Sequence, residues 1–177
     1  MLLKRKYLLV AFVLLASLLG STSSRAQDVD YKAYTLFVYN FMKYIEWPES
    51  ALKDEFVVGV IGDSPVWGEL KALAQAKKPR GKTIVLKKLQ SADEAAGCHI
   101  VYIASGKSSF LKPVLDKTAG KPVLVIAERE GLARKGAALS FVTLDDDVLK
   151  FEINKNAIEQ HSLKIPTVLV SLGLLVS

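Results

Sequence analysis

The sequence predicts an α/β fold, with a mostly parallel sheet in a Rossmann-like three-layer arrangement and a C-terminal antiparallel hairpin. Three observations lead there. Continuous apolar runs at 56–61 (FVVGVI), 99–103 (HIVYI) and 122–127 (PVLVIA) have the composition of strands buried on both faces, as parallel strands are. Capped or amphipathic segments separate these runs with short joints, the pattern of crossover units. The last third instead sets 138–144 and 148–153 on either side of a charged tip, Asp145-Asp146-Asp147, which reads as a hairpin added at the sheet edge.

The elements follow in order. Residues 1–26 carry Lys4, Arg5 and Lys6, then an apolar run from Tyr7 to Gly20, then Ser24 and Ala26 as the small residues of a cleavage site before Gln27. That is the layout of a secretory signal peptide. The apolar run is shorter than the roughly 20 residues a membrane-spanning helix needs. No Cys sits at the cleavage site, so no lipoprotein signal is expected. What remains, 27–177, has the length of one domain with a real core. Over 34–45, leading into YNFMKYIEWPES (39–50), Tyr34, Phe37, Val38, Phe41 and Ile45 share one helical face. Pro48 biases Trp47 away from helical geometry and ends that helix. Aromatic residues at helical spacing are usually core, so the Trp-Pro corner reads as a fold feature rather than a ligand site.

After the first strand, Ser64 is a suitable N-cap and Pro65 a suitable first residue for a helix running to about Ala76. A short strand follows at 83–86, a short helix or loop at 93–96, and then the 99–103 strand. Ser105-Gly106-Lys107 opens a helix to about Lys117, before the 122–127 strand. Past the hairpin, Asn154 caps a helix over 155–161, and Pro166 starts a final apolar helix over 167–176.

Charge and cysteine usage narrow the function. Of the 24 basic residues, four lie in 1–26 with no acidic partner there, so the formal charge falls from +6 to +2 on their removal. The basic character is therefore mostly the leader, and nothing supports nucleic-acid binding, which needs a clustered basic face. A single cysteine, Cys98, cannot form an internal disulfide.

Candidate chemistry is sparse. Gly59-x-x-Gly62 lacks the dinucleotide fingerprint and reads as a tight strand-to-helix turn. Ser105-Gly106-Lys107-Ser108 lacks the upstream glycine of a phosphate loop and reads as a capped turn. Cys98 and His99 could form a nucleophile pair or hold a metal, but neighbours on a strand point to opposite faces, and a metal needs more ligands. The three aspartates at 145–147 lack the spaced ligand loop of a calcium site. Glu152 and Asn154 share a face at the end of the last strand. They read equally as a partner contact or as a solvated carboxylate beside a helix cap. No catalytic set emerges, and no cofactor or metal is expected.

Several segments taken together resemble the YfiR family: TLFVYNFMKYIEWP, VVGVIGDSPVWGEL, CHIVYIAS, PVLVIAEREGLARKGAALSFV and VLKFEINKNAIEQHSLKIPTVLVSLG, in that order. The resemblance covers nearly all of 27–177. It implies a periplasmic, non-enzymatic regulator that represses a membrane diguanylate cyclase by binding its periplasmic sensor region. An outer-membrane OmpA-like lipoprotein could sequester it, and cyclic-di-GMP and biofilm output would respond. It also implies a homodimer, and a partner-binding region at Phe151, Glu152, Asn154, Ile158 and Leu169. The residue-level alternative for Phe151, Ile158 and Leu169 is that they are core. Family members can carry a disulfide from the position of Cys98 to one near Gly59, which this chain cannot form. The competing functions are a periplasmic small-molecule sensory module, using the strand ends at 62–64 and 104–107, and a hydrolase using Cys98 or His99.

Overall fold

Helix α1 (Tyr31–Tyr44) begins where the Asp30 carboxylate accepts hydrogen bonds from the Lys32 and Ala33 N–H groups at 3.0 and 3.3 Å, satisfying donors that have no intrahelical partner. The computed structural model describes residues 30–145 and 147–177. The expected signal peptide and its cleavage site lie outside the described residues, as does Asp146. The expected helical face is the one α1 buries: Tyr34, Val38 and Phe41 are buried, as is Ile45 just past its end, and Phe37 is packed against them. At Ile45 the backbone turns extended, and Trp47 and Pro48 carry the chain towards the sheet. Trp47 covers that joint. Its ring lies edge-on to Phe56 at 5.0 Å, and its Nε1–H donates to the Pro122 carbonyl at 3.1 Å. Glu46 pairs reciprocally with Lys164, tying the corner to the C-terminal segment.

Seven strands form one sheet in the order β2-β1-β3-β4-β5-β6-β7. They are β1 (Glu55–Ile61), β2 (Thr83–Leu89), β3 (Ile100–Ile103), β4 (Leu124–Ala127), β5 (Leu139–Thr143), β6 (Leu149–Asn154) and β7 (Leu174–Val176). The strands β2-β1-β3-β4-β5 are mutually parallel, β5 and β6 are antiparallel, and β7 runs parallel to β6. The helices are α2 (Val66–Ala76), α3 (Leu111–Thr118), α4 (Lys155–Gln160) and the single turn α5 (Thr167–Val170). One sheet face packs against α1 and α2 through Phe41, Phe56, Val58 and Tyr102, and the other against α3 through Val57, Ile61, Val101 and Val125. Two apolar layers with the sheet between them make the expected three-layer arrangement. Every residue of β3 and β4 is buried, which is why their sequences show no alternation.

The sequence reading differs from the structure in three elements, one being the helix expected from Ser105, which is a 3-10 turn over Ser105–Phe110 and becomes α3 only at Leu111. Strand β2 continues through Lys87 and Lys88 to Leu89, pairing with β1 over its whole length. It is an edge strand, and exposed lysines there discourage further pairing. The expected helix over 167–176 is also corrected: it stops after one turn at Val170, and the chain returns as β7. Gly173 explains the break. A Cβ there would sit 2.6 Å from the Ile153 side chain and 2.7 Å from Phe151, so this backbone lies directly on the core. Beyond it, Leu174–Val176 pairs with Glu152–Asn154, supplying hydrogen-bond partners to the outer edge of β6.

Candidate functional site

The residues that sequence reading offered for chemistry are committed to structure. Both ring nitrogens of His99 are used: Nδ1 accepts from the Val57 N–H at 2.9 Å, and Nε2 lies 2.8 Å from the Ala51 carbonyl. An amide can only donate and a carbonyl can only accept, so Nε2 carries the proton and no lone pair is left for a metal or a substrate. Cys98 is buried, and desolvation pushes its thiol up to about 11, the opposite of what a nucleophile needs. Its Sγ faces Gly59, where an added Cβ would lie 2.7 Å away. His161 is buried, with Nδ1 donating to the Lys121 carbonyl at 2.9 Å. The Ser105–Phe110 segment is a 3-10 turn in which the Ser108 hydroxyl donates to the Ser105 carbonyl. Ser64 accepts from the Val66 N–H at 3.2 Å, but α2 begins at Val66 with Pro65 at the N-cap position, one residue later than the expected Ser64 cap.

The late hairpin and following helices hold the five residues offered for partner contact, and four of them are buried. Relative exposure is 0% for Phe151 and Ile158, 1% for Leu169 and 4% for Glu152. Phe151 is wedged between Phe37 and Phe41, with ring centroids 5.1 and 5.0 Å away. Phe151, Ile158 and Leu169 are therefore core side chains of this fold. Phe151 packs against α1, and Ile158 and Leu169 lie in the same buried apolar cluster.

Glu152 does something different. Its Oε2 accepts from the Gly131 N–H at 2.8 Å and from the Ser140 hydroxyl at 2.5 Å, while Arg134 Nε lies 3.4 Å from Oε1. The Ser140 oxygen in turn accepts from the Ala133 N–H at 3.0 Å, and Asn154 Nδ2 donates to the Ala133 carbonyl at 2.8 Å. Asn154 also caps α4, accepting from the Ala157 N–H at 3.0 Å. A buried carboxylate is tolerated when its lone pairs are filled in this way. The face shared by Glu152 and Asn154 thus fixes the loop between β4 and β5.

The exposed apolar residues of this region are the neighbours of those first named. Val168, Leu172, Leu174 and Leu175 are 54, 45, 40 and 58% exposed. They lie on α5, on β7 and between them, and among the described residues β7 is the last strand of the sheet, with nothing paired on its outer side. Sequence reading missed this surface because it took 167–176 as one helix. Gly173 inside the run SLGLLVS was the available signal.

A second buried carboxylate, Glu128, follows β4. It accepts from the Tyr31 and Tyr102 hydroxyls, each at 3.1 Å. Burial, and then the charge of Glu128, raise the Tyr102 hydroxyl far above its ordinary value. This pair of bonds joins the start of α1 to β3 and β4.

Comparison with known proteins agrees with the architecture. A crystal structure of an ABC domain in complex with L-Trp from Streptococcus pneumonia superposes with a TM-score of 0.51 at 12% identity, over 78% of this chain and 59% of that one. A conserved domain protein from Vibrio cholerae superposes with a TM-score of 0.51 at 11% identity, over 84% of this chain and 60% of its own. The chain thus spans about three-fifths of each of these structures, and at such identities the likeness is one of fold. No curated protein matches the sequence. The YfiR/HmsC-like family matches residues 31–173, from the first turn of α1 to the glycine before β7, and the chain belongs to that family.

Proposed function

We propose that this protein is a periplasmic regulatory binding protein. It represses a membrane diguanylate cyclase by occupying the cyclase's periplasmic sensor region, stoichiometrically and without catalysis. Family membership over residues 31–173 is the observation that carries this reading. The open edge of β7 and the apolar side chains of Val168, Leu172, Leu174 and Leu175 support it as the contact surface, because interface centres are apolar and strand edges invite pairing. Among the described residues no helix is long and apolar enough to cross a membrane. An OmpA-like outer-membrane lipoprotein would relieve repression by competing for the repressor. A homodimer would present two such surfaces.

Deleting the gene in its native host should raise cyclic-di-GMP. Complementation with the wild type should restore the low level, and Leu174→Lys/Leu175→Lys should not, although it accumulates folded in the periplasm. An unchanged cyclic-di-GMP level on deletion overturns the proposal. Full rescue by the double variant moves the contact elsewhere on the surface. A second reading, a small-molecule sensory module, draws on the likeness to a domain solved with L-Trp and on the clefts at the strand ends. It predicts a stabilising metabolite in a thermal-shift screen and no cyclase recovered from membrane extract.

A further inference from the structure

The loops after β3 and β4 face each other across a cleft of about 480 Å³. It lies outside the carboxyl ends of β3 and β4, and its volume is in the range of small-molecule sites. Buried Leu111 and Leu132 line it apolarly, while Lys112, Arg129 and Lys135 line it with positive charge against Glu130 alone. Lys112 is shared with Asp116 at 3.1 Å. Among the described residues Arg129 and Lys135 are in no ion pair.

One wall of this cleft is held with unusual care. Residues 131–134 are fixed at three backbone positions by side chains from β5 and β6: Gly131 N–H on Glu152, Ala133 N–H on Ser140, and Ala133 C=O on Asn154. At the end of the loop Gly136 has φ +108°, and a Cβ there would meet the Leu115 side chain at 2.9 Å, so the turn also sits tightly on α3. The opposite wall is braced by the Ser108–Ser105 hydrogen bond. A plain connection between two strands needs none of this, since burying a carboxylate is costly unless every lone pair is met. A wall held rigid before a ligand arrives removes the ordering cost of binding, and rigid support is what positions cationic groups usefully.

We infer that this cleft binds a small ligand through an oxyanion group, phosphate or carboxylate. Arg129 and Lys135 supply the charge, the Ser109 hydroxyl supplies a donor, and Leu111 and Leu132 meet the ligand's apolar part. Arg suits such a group because its guanidinium can engage two oxygens at once. Glu152, Ser140 and Asn154 are positioning residues that act through the loop.

The test uses the purified protein at constant ionic strength, because exposed charges are screened by salt. Inorganic phosphate and succinate are titrated by calorimetry and by amide chemical shifts, and phosphatidylglycerol vesicles are tested by co-sedimentation. Expected is saturable binding of at least one probe, with shifts at Ser109 and Gly131. At least a tenfold loss is expected in Arg129→Ala/Lys135→Ala, whose thermal midpoint stays near wild type. Glu152→Gln should weaken binding with both cations intact. Binding of vesicles but neither free anion places the oxyanion on a lipid headgroup. No binding of any probe overturns the inference, as does binding that the double variant leaves undiminished. These readouts are in vitro and stand apart from cyclic-di-GMP in the cell, so this site and the repressor reading fail separately.

Discussion

The centre of the sheet and its C-terminal margin are built on different terms. Strands β3 and β4 have no exposed residue, and β1 has only its first. On the margin β6 is partly covered, while two of the three residues of β7 are exposed. The centre is held by apolar area, which acts without direction. The margin adds to the apolar packing of Phe151 and Ile153 a few directional bonds around Glu152, which act only in one geometry. An unpaired strand edge is tolerated at such a margin, and the same opening would be destructive at the centre.

The largest expected effects test that contrast directly. Phe41 is fully buried and packs edge-on to Phe151 at 5.0 Å. Phe41→Ala should cost about 3–5 kcal/mol through lost transfer energy and the cavity left behind. Leu175→Lys, on the exposed edge, should change stability by no more than about 0.5 kcal/mol. Denaturant unfolding measures both. A cost above about 2 kcal/mol for Leu175→Lys would mean that the edge is covered in solution and the contrast is false.

The two buried carboxylates sharpen the contrast at the next level. In Glu152→Gln the amide oxygen can take the place of Oε2, but the amide N–H₂ then faces Arg134 as donor against donor. Turning the amide over sets its N–H₂ against the Gly131 N–H instead, again donor against donor. In Glu128→Gln the amide N–H₂ faces a tyrosine hydroxyl, which can turn to accept. Glu152→Gln should therefore cost about 2 kcal/mol and Glu128→Gln less than about 1 kcal/mol, by unfolding at neutral pH. The reverse order would place the more demanding network at the start of α1.

These contrasts explain how much the sequence disclosed. The Val- and Ile-rich runs of β1, β3 and β4 are legible because two-sided burial removes alternation, and Pro48 and Asn154 mark element ends by local chemistry alone. Residues 167–176 were not legible. An apolar run of that length suits a helix or an edge strand equally, and the deciding contact, Gly173 against Ile153 and Phe151, is between residues about twenty positions apart. Glu152 and Asn154 were visible as a pair on one face, but their partners Gly131, Ala133 and Ser140 come from another loop and strand. Phe151, Ile158 and Leu169 carried both readings in the sequence, and only packing against α1 and its neighbours decides for core. The cleft escaped notice because its cations are scattered over two loops and form no motif.

A pH-dependent effect probes how tightly the centre closes at its amino-terminal end. Cys98 lies against Gly59, and burial holds its thiol at about 11 against an ordinary value of 9.0. The folded state therefore keeps its proton where the unfolded chain has lost it. Stability from this group is fully present below about pH 9 and drains as pH rises towards about 11. By pH 10 the loss should be about 1.4 kcal/mol, one unit of proton linkage. The tyrosines titrate in the same direction, since Tyr31, Tyr34 and Tyr102 are all raised by burial, so the isolating measurement is a difference. Between pH 8 and pH 10 the wild type should lose more stability than Cys98→Ala by about that amount, and its thiol should resist alkylation until the protein is unfolded. Equal slopes would mean that water reaches Cys98, and that the amino ends of β1 and β3 are as open as the margin around β7.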